Sequence, residues 1–454
     1  MSESFDLIVL GSGSAARDGA ARAYDLGARV AMIERERWGG SCPNVACRPT
    51  KAYLVAAEQL HDANVHAAER GVRTGPATID MAALRRWKDS LRRDQQGWLE
   101  LLSGRYETVQ GEASFVDPRT VRVRDRQLSA EKILIATGSR TAVPTVPGIE
   151  DVDWLDHISA LELERVPESL LVVGAGPVGL ELAQIFARFG SRVTIVNHSG
   201  QIAARADGEA AAELQAALED EGIEVVLNAG VDAFRREGDE IVATVAGREV
   251  RVGDVLLASG RKANTESLAL DRAGVETDRG FIVVDDRQRT AAEGIWAAGD
   301  CAIGPMFTPT AQYQARVAIA DMFDTGERHA EYSVLPTAIF TDPELGGVGR
   351  TEAEARTAGC DVDVVKHPLK AVTRAQYLGM QHGLYKIVFD RSTRRVLGVH
   401  VVSRGASDIV GSLAAALRLG VTVDDLAAVH HVYPSFSEGV KAAAEQALQE
   451  AARA

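Results

Sequence analysis

Short, largely apolar runs alternate with glycine turns and amphipathic stretches along the first two thirds of the chain. That order predicts parallel strands buried on both faces, joined by helices. FDLIVL (5–10) is the first such run, followed at once by Gly11-Ser-Gly13-Ser-Ala-Ala16, a helical stretch, and RVAMIE ending in Glu34. This is a βαβ unit of the kind that cradles a dinucleotide. Gly11 permits the tight turn, Gly13 lets backbone N–H groups approach a pyrophosphate, and Ala16 is small enough for close helix–strand packing. Glu34 falls about twenty residues on, where a carboxylate can accept hydrogen bonds from a ribose.

The pattern returns in SLLVVGAGPVGLELA, with Gly174, Gly176 and Gly179, closed by the run RVTIVN. Two units in one chain predict two dinucleotides. Three further apolar runs end in glycine: ILIATGSR (133–140), VLLASGRK (255–262) and IWAAGDC (295–301). The last presents Asp300 just past a strand end, suited to a ribitol or ribose hydroxyl. From about residue 330 the runs alternate apolar and polar, and helical stretches follow around 406–419 and 438–453. The expected fold is α/β, with two Rossmann-like domains and a C-terminal α+β domain.

Composition narrows the function classes. A formal net charge of −14 over 454 residues argues against sequence-independent binding to nucleic acid. No run of eighteen apolar residues is present, so no membrane span is expected. The start, MSESFDLIVL, lacks a basic region before its apolar run. The expected compartment is therefore the reducing cytoplasm. In that setting the pair in WGGSCPNVACRPTK, Cys42 and Cys47, has three readings. Two buried thiols is one; zinc is another, but no further Cys or His cluster supplies ligands and no metal site is expected. The third follows from position: the segment comes close enough after the first unit to lie against the isoalloxazine of a flavin. A dithiol there can pass two electrons through an internal disulfide.

GGSCPNVACRPTK, the two glycine fingerprints, ATG, ASGRKAN, AAGD and FTDPELGGVG are spread over essentially the whole chain. Together they resemble the class I pyridine nucleotide-disulfide oxidoreductases, the glutathione reductase, dihydrolipoamide dehydrogenase and mercuric reductase type. The resemblance implies an FAD-binding domain over 1–145 and 263–328, an NAD(P)-binding domain over 146–262, and a dimerisation domain over 329–454. It makes Cys42 the thiol that attacks the acceptor and Cys47 the one closest to the flavin, with Lys51 near the flavin and paired with Glu181. Gly11, Gly13, Ala16, Glu34, Gly40, Ser41, Lys51, Thr137, Gly138 and Asp300 would hold FAD. Gly174, Gly176, Gly179, Asn197, His198 and Gly260 would line the nicotinamide nucleotide. No carboxylate stands at Asn197, His198 or Ser199 to repel a 2′-phosphate, and Arg205 lies further on. Gly179, conversely, is the residue more typical of NADH-using relatives. NADPH is the expected donor, NADH the alternative. A homodimer is implied, with each tail completing its partner's active site.

The tail departs from the family pattern. Disulfide reductases carry a His directly before the proline of this segment and a Glu four residues beyond the proline. Here the sequence is His430-His431-Val-Tyr433-Pro-Ser-Phe-Ser-Glu438. A phenol titrates near 10 and is a poor proton shuttle at neutral pH. An ordinary disulfide is therefore expected to turn over slowly. The acceptor is expected to be a small thiol/disulfide-type or thiophilic molecule. It could be a soft metal ion held by the two thiolates, as in a mercuric-reductase-like enzyme. The tail EQALQEAARA carries no cysteine pair and no N-terminal metal-binding domain is seen, which argues against delivery of Hg(II) by that route. An organosulfur substrate is also open, with Tyr433 or His431 as acid, both facing one site from an extended strand. So is a quinone reduced directly by flavin. The last reading is a non-enzymatic redox sensor.

Overall fold

A computed structural model of the protein describes residues 3–453, which form two compact units. The first comprises the chain up to Thr50, Arg86–Ala142 and Gly260–Glu331. Its centre is a five-stranded parallel sheet in the order Ile295–Ala297, Ile133–Ile135, Leu7–Leu10, Val30–Glu34, Glu107–Gln110. Alternate residues of these strands feed different cores. Ile8, Leu10, Ala31 and Ile33 pack in one cluster, and Leu7, Val9, Met32 and Leu134 in another. That is why the strands read as unbroken apolar runs rather than alternating ones. On one face, helix Ser14–Asp25 meets helix Thr308–Met322 through alanines, including Ala16, Ala20, Ala311 and Ala315.

The second unit comprises Lys51–Arg85, Val143–Ser259 and the chain from Tyr332 on. It repeats the parallel architecture, in the order Trp154–Leu155, Asp254–Leu257, Ser169–Val173, Arg192–Val196, Glu224–Val226. It also holds an antiparallel sheet ordered Thr337–Ile339, Glu344–Gly349, Val396–Ser403, Leu384–Asp390, Val362–Pro368. Helices Ala406–Arg418 and Glu438–Ala451 pack on that sheet and share its apolar core. The three layered sheets are those expected from the apolar runs. The chain thus has two Rossmann-like halves and a C-terminal α+β domain.

One ion cluster ties helix Gly208–Asp220 to this last sheet. Lys386, 2% exposed, reaches Asp207 at 3.0 Å and Glu209 and Glu352 at 2.8 Å. Asp207 is itself 2% exposed and caps the helix by accepting from the Glu209 and Ala210 N–H groups. Lys386→Met keeps the side-chain volume but strands the Asp207 carboxylate. Removing one member of a buried pair costs about 3–5 kcal/mol. The variant is expected to melt several degrees below wild type in a calorimetric scan; an unchanged midpoint would show that the cluster contributes nothing net.

Candidate active site

The first glycine fingerprint forms the turn between strand Leu7–Leu10 and helix Ser14–Asp25. Gly13 is the N-cap of that helix and no side chain caps it, so its first N–H groups remain open to an anion. Glu34 ends the neighbouring strand. Its carboxylate accepts from Ser12 Oγ at 2.6 Å and from the Glu36 N–H at 2.8 Å, leaving acceptor capacity for a ribose hydroxyl. Ser12 Oγ in turn accepts from the Gly39 N–H at 3.0 Å, which links the fingerprint to the cysteine segment. Gly40 packs so close to Gly13 that a Cβ on it would lie 2.4 Å from the Gly13 Cα. Only glycine fits there.

Cys42 lies in the short helix Ser41–Asn44 and Cys47 opens helix Cys47–His61. Both are half-buried, and Ser41 is exposed. Asn44 fixes the segment by donating to the carbonyls of Trp38 and Gly40, at 2.9 and 2.7 Å. Helix Gln95–Ser103 braces it from outside, with Gln95 Oε1 accepting from the Trp38 N–H at 2.7 Å. Cys47 Sγ lies 3.7 Å from Thr308 Oγ1, a neighbour with no signature in the sequence near the cysteines. Cys301 is fully buried, and burial pushes its thiol up.

Asp300 follows strand Ile295–Ala297 and accepts from Ser139 Oγ at 3.0 Å. Arg261 donates to that hydroxyl at 2.6 Å and to the Ser139 carbonyl at 2.8 Å. The Asn264 side chain donates to the Thr137 carbonyl at 3.0 Å, and its backbone N–H donates to the Gly138 carbonyl at 2.9 Å. The Thr137–Gly138 turn and Asp300 are thus assembled on one edge, with Asp300 half-exposed and able to take a ligand hydroxyl. An open helix N-terminus, a ribose-ready carboxylate and this second carboxylate fit an FAD.

In the second unit, Gly176 is the N-cap of helix Pro177–Phe189, again with no side-chain cap. A Cβ on Gly179 would lie 2.0 Å from the Gly174 carbonyl, so the turn needs glycine there. Asn197 is held inward: its Oδ1 accepts from the Ala175 N–H at 3.4 Å and its Nδ2 donates to the Gln201 carbonyl at 2.9 Å. His198 and Arg205 stand exposed. An uncapped helix start with two exposed basic side chains in the unit fits a nicotinamide nucleotide. Gly260 is exposed and belongs to the first unit.

The structure brings Lys51 and Glu181 together. Lys51 Nζ lies 2.7 and 3.0 Å from the two oxygens of Glu181, which is 5% exposed. Phe340 completes the arrangement: its N–H donates to Glu181 Oε1 at 3.1 Å, and Lys51 Nζ sits 4.4 Å over its ring. The 340–342 segment is clasped in turn. Buried Arg188 bridges Glu221 at 2.6 Å and Asp342 at 3.1 Å, and Arg404 holds Asp342 at 3.1 Å. Asp342 lies in FTDPELGGVG, but Arg188, Glu221 and Arg404 are not signalled by local sequence.

The tail differs from the sequence expectation. Residues 429–437 form no strand; the Tyr433–Pro434 peptide is cis, and a proline has no N–H for a ladder. His431 and Tyr433 therefore do not share one face of a strand. His431 Nδ1 pairs with Ser437 Oγ at 2.9 Å, and Ser437 Oγ lies 3.0 Å from Ser435 Oγ. Burial, with Lys441 nearby, holds the His431 pKa below the ordinary imidazole value. Glu438 Oε2 accepts from the Ser435 N–H at 2.7 Å. Tyr433 is 68% exposed.

Comparison with known proteins places the chain. Residues 5–315 match the pyridine nucleotide-disulphide oxidoreductase family, and residues 335–444 its dimerisation domain. The chain is 37% identical to a mercuric reductase of Lysinibacillus sphaericus, over 97% of this chain and 82% of that one. It is 38% identical to a dihydrolipoyl dehydrogenase of Thermus scotoductus, over 98% and 97%. Among solved structures it resembles the Cu(II) complex of the HOCl-induced flavoprotein disulfide reductase RclA from Escherichia coli. That likeness has a TM-score of 0.88 at 28% identity, covering 98% of this chain and all of the other. The chain belongs to the pyridine nucleotide-disulfide oxidoreductases: it is an FAD- and NAD(P)H-dependent enzyme with a redox-active Cys42–Cys47 pair and the family's dimerisation domain.

Proposed function

We propose that the enzyme reduces a thiophilic acceptor, in the first place a soft metal ion presented to Cys42 and Cys47. The observation that carries this reading is the tail: Tyr433 is exposed and Glu438 is engaged by a backbone N–H. An acceptor bound as a metal thiolate needs no proton returned to a leaving thiol, so it loses little when the base is a phenol. Two names point the same way: mercuric reductase among the relatives and a Cu(II) complex among the solved structures.

Cys42 meets the acceptor and Cys47 follows it as the second thiolate, with Thr308 Oγ1 beside Cys47 as a hydrogen-bond partner for the thiolate. FAD, once bound by Gly11, Gly13, Ala16, Glu34, Gly40, Ser41, Thr137, Gly138 and Asp300, supplies two-electron transfer between the nicotinamide and the dithiol. Lys51 holds a fixed positive charge one helical turn beyond Cys47, and Glu181 keeps that amine oriented. Gly174, Gly176 and Gly179 line the nicotinamide nucleotide, while Asn197 shapes the loop. His198 and Arg205 are exposed and basic, which favours NADPH. The domains run 1–145 with 263–328 for FAD, 146–262 for NADPH and 329–454 for a homodimer whose partners exchange tails.

A second reading keeps an ordinary organic disulfide as substrate, with His431 as the acid. The Ser437 bond that fixes its ring favours it. One assay separates the two: oxidation of NADPH and of NADH by the purified holoenzyme with thiol-complexed Hg(II), thiol-complexed Cu(II), lipoamide and glutathione disulfide. Metal-dependent turnover, faster with NADPH, is expected. Turnover with a disulfide alone would remove the metal reading.

A further inference from the structure

Helix Pro177–Phe189 carries a buried polar stripe. The side chains of Glu181, Gln184 and Arg188 are all buried, and their spacing of three and four puts them on one face. Buried polar groups need partners, and all three find them in one segment, Phe340–Asp342. Glu181 Oε1 accepts from the Phe340 N–H at 3.1 Å. Gln184 Oε1 accepts from the Asp342 N–H at 2.8 Å, and its Nε2 donates to the Asp342 carbonyl at 2.7 Å. Arg188 reaches the Asp342 carboxylate at 3.1 Å. Held at both ends, the segment cannot slide along the helix.

What this fixes is an aromatic ring under an ammonium. Lys51 Nζ lies 4.4 Å from the Phe340 ring centroid. The Lys51 side chain is 36% exposed and Phe340 37%, so packing does not confine the amine. Glu181 holds it from one side, with Oε1 shared between Nζ and the Phe340 N–H. The ring holds it from another, since its negative face attracts a cation. A second carboxylate in that place would neutralise the lysine. A ring attracts the charge and leaves it whole.

We propose that Phe340 is a positioning residue for Lys51: its ring and its N–H together set where the ammonium stands, and so how readily the bound FAD accepts electrons. The inference rests on the reading that Lys51 lies beside the flavin, and it adds the group that fixes the charge there. A lysine is a point charge on a flexible four-carbon stem. With Glu181 alone it is free to swing about the carboxylate. A cation held still stabilises the added negative charge of the reduced cofactor better than one that moves into water.

The test is the midpoint potential of FAD in the holoenzyme. It is measured by dye equilibration from the flavin absorbance, after the Cys42–Cys47 pair has taken its two electrons. Phe340→Leu keeps the N–H and removes the ring. It is expected to lower the equilibrium constant for flavin reduction about threefold, the worth of one exposed cation–π contact, or about 14 mV for a two-electron couple. Lys51→Met should lower it further, and Phe340→Leu added to Lys51→Met should then change nothing more. Phe340→Tyr, which retains a ring, should keep the wild-type value. A ring that merely packs would affect the melting temperature and not the potential. An unchanged or raised potential in Phe340→Leu therefore overturns the proposal, as does an equal shift with and without Lys51. Should Phe340→Leu not fold, a fluorinated phenylalanine at position 340 decides, having nearly the same shape and a weaker negative face. It should also lower the potential, and a wild-type value there sinks the idea. The underlying reading fails separately, if Lys51→Met leaves the potential where it was.

Discussion

Replacing Cys42 by serine is expected to lower acceptor turnover on the order of 10³-fold or more, because a serine hydroxyl is neither an effective nucleophile nor a soft ligand at neutral pH. The loss should be the same for any acceptor that reacts at sulfur. It should come without loss of bound FAD, since Glu34 and Asp300 are held in the cradle by Ser12 and Ser139. Cys47→Ser should lose as much, for a different reason: the acceptor would still be captured, but the second thiolate that completes the two-electron transfer would be gone. Turnover with a metal thiolate, a small disulfide and a quinone, for wild type and both variants, checks this. Quinone reduction that survives in Cys42→Ser while the other two vanish would mean that electrons can leave by a route that bypasses the dithiol. Retention of all three would end the dithiol mechanism.

What the sequence made legible is local. An apolar run followed at once by glycine specifies a buried strand and a tight turn within a dozen residues. Both parallel sheets and the helices that follow the Gly13 and Gly176 turns could therefore be read directly. Contacts between distant segments leave no such trace. The Arg188–Asp342–Arg404 clasp behind Phe340 joins three segments, and Arg17 meets Trp98 across eighty-odd intervening positions. Each of those residues alone reads as an ordinary surface charge or core aromatic. The tail misled for another reason. An extended strand would let His431 and Tyr433 face one site, but residues 429–437 form none, and Pro434 has no N–H for a ladder. His431 pairs with Ser437.

Tyr433→His is expected to raise turnover with an ordinary disulfide by about 10²-fold, the low end of what general acid–base catalysis contributes. The imidazole would supply what the phenol lacks, a group that both gives and takes a proton near neutral pH. The low end is expected because Glu438 is not waiting for it: Oε2 accepts the Ser435 N–H at 2.7 Å, so only Oε1 could orient a new imidazole. Position 433 is also 68% exposed in the protomer, and an imidazole left in water is a weaker acid–base partner than one held by a carboxylate. Turnover of the histidine variant with lipoamide or glutathione disulfide should follow a bell-shaped pH profile, and adding Glu438→Gln should remove most of the gain. With metal thiolates the same substitution should change little, because the thiolates that Cys42 and Cys47 displace from a soft metal ion leave without taking a proton. Equal gains for both acceptor classes would mean that Tyr433 limits something other than proton transfer. Brisk disulfide turnover in wild type, unchanged by the histidine, would make the phenol no handicap and return the acceptor to the disulfides.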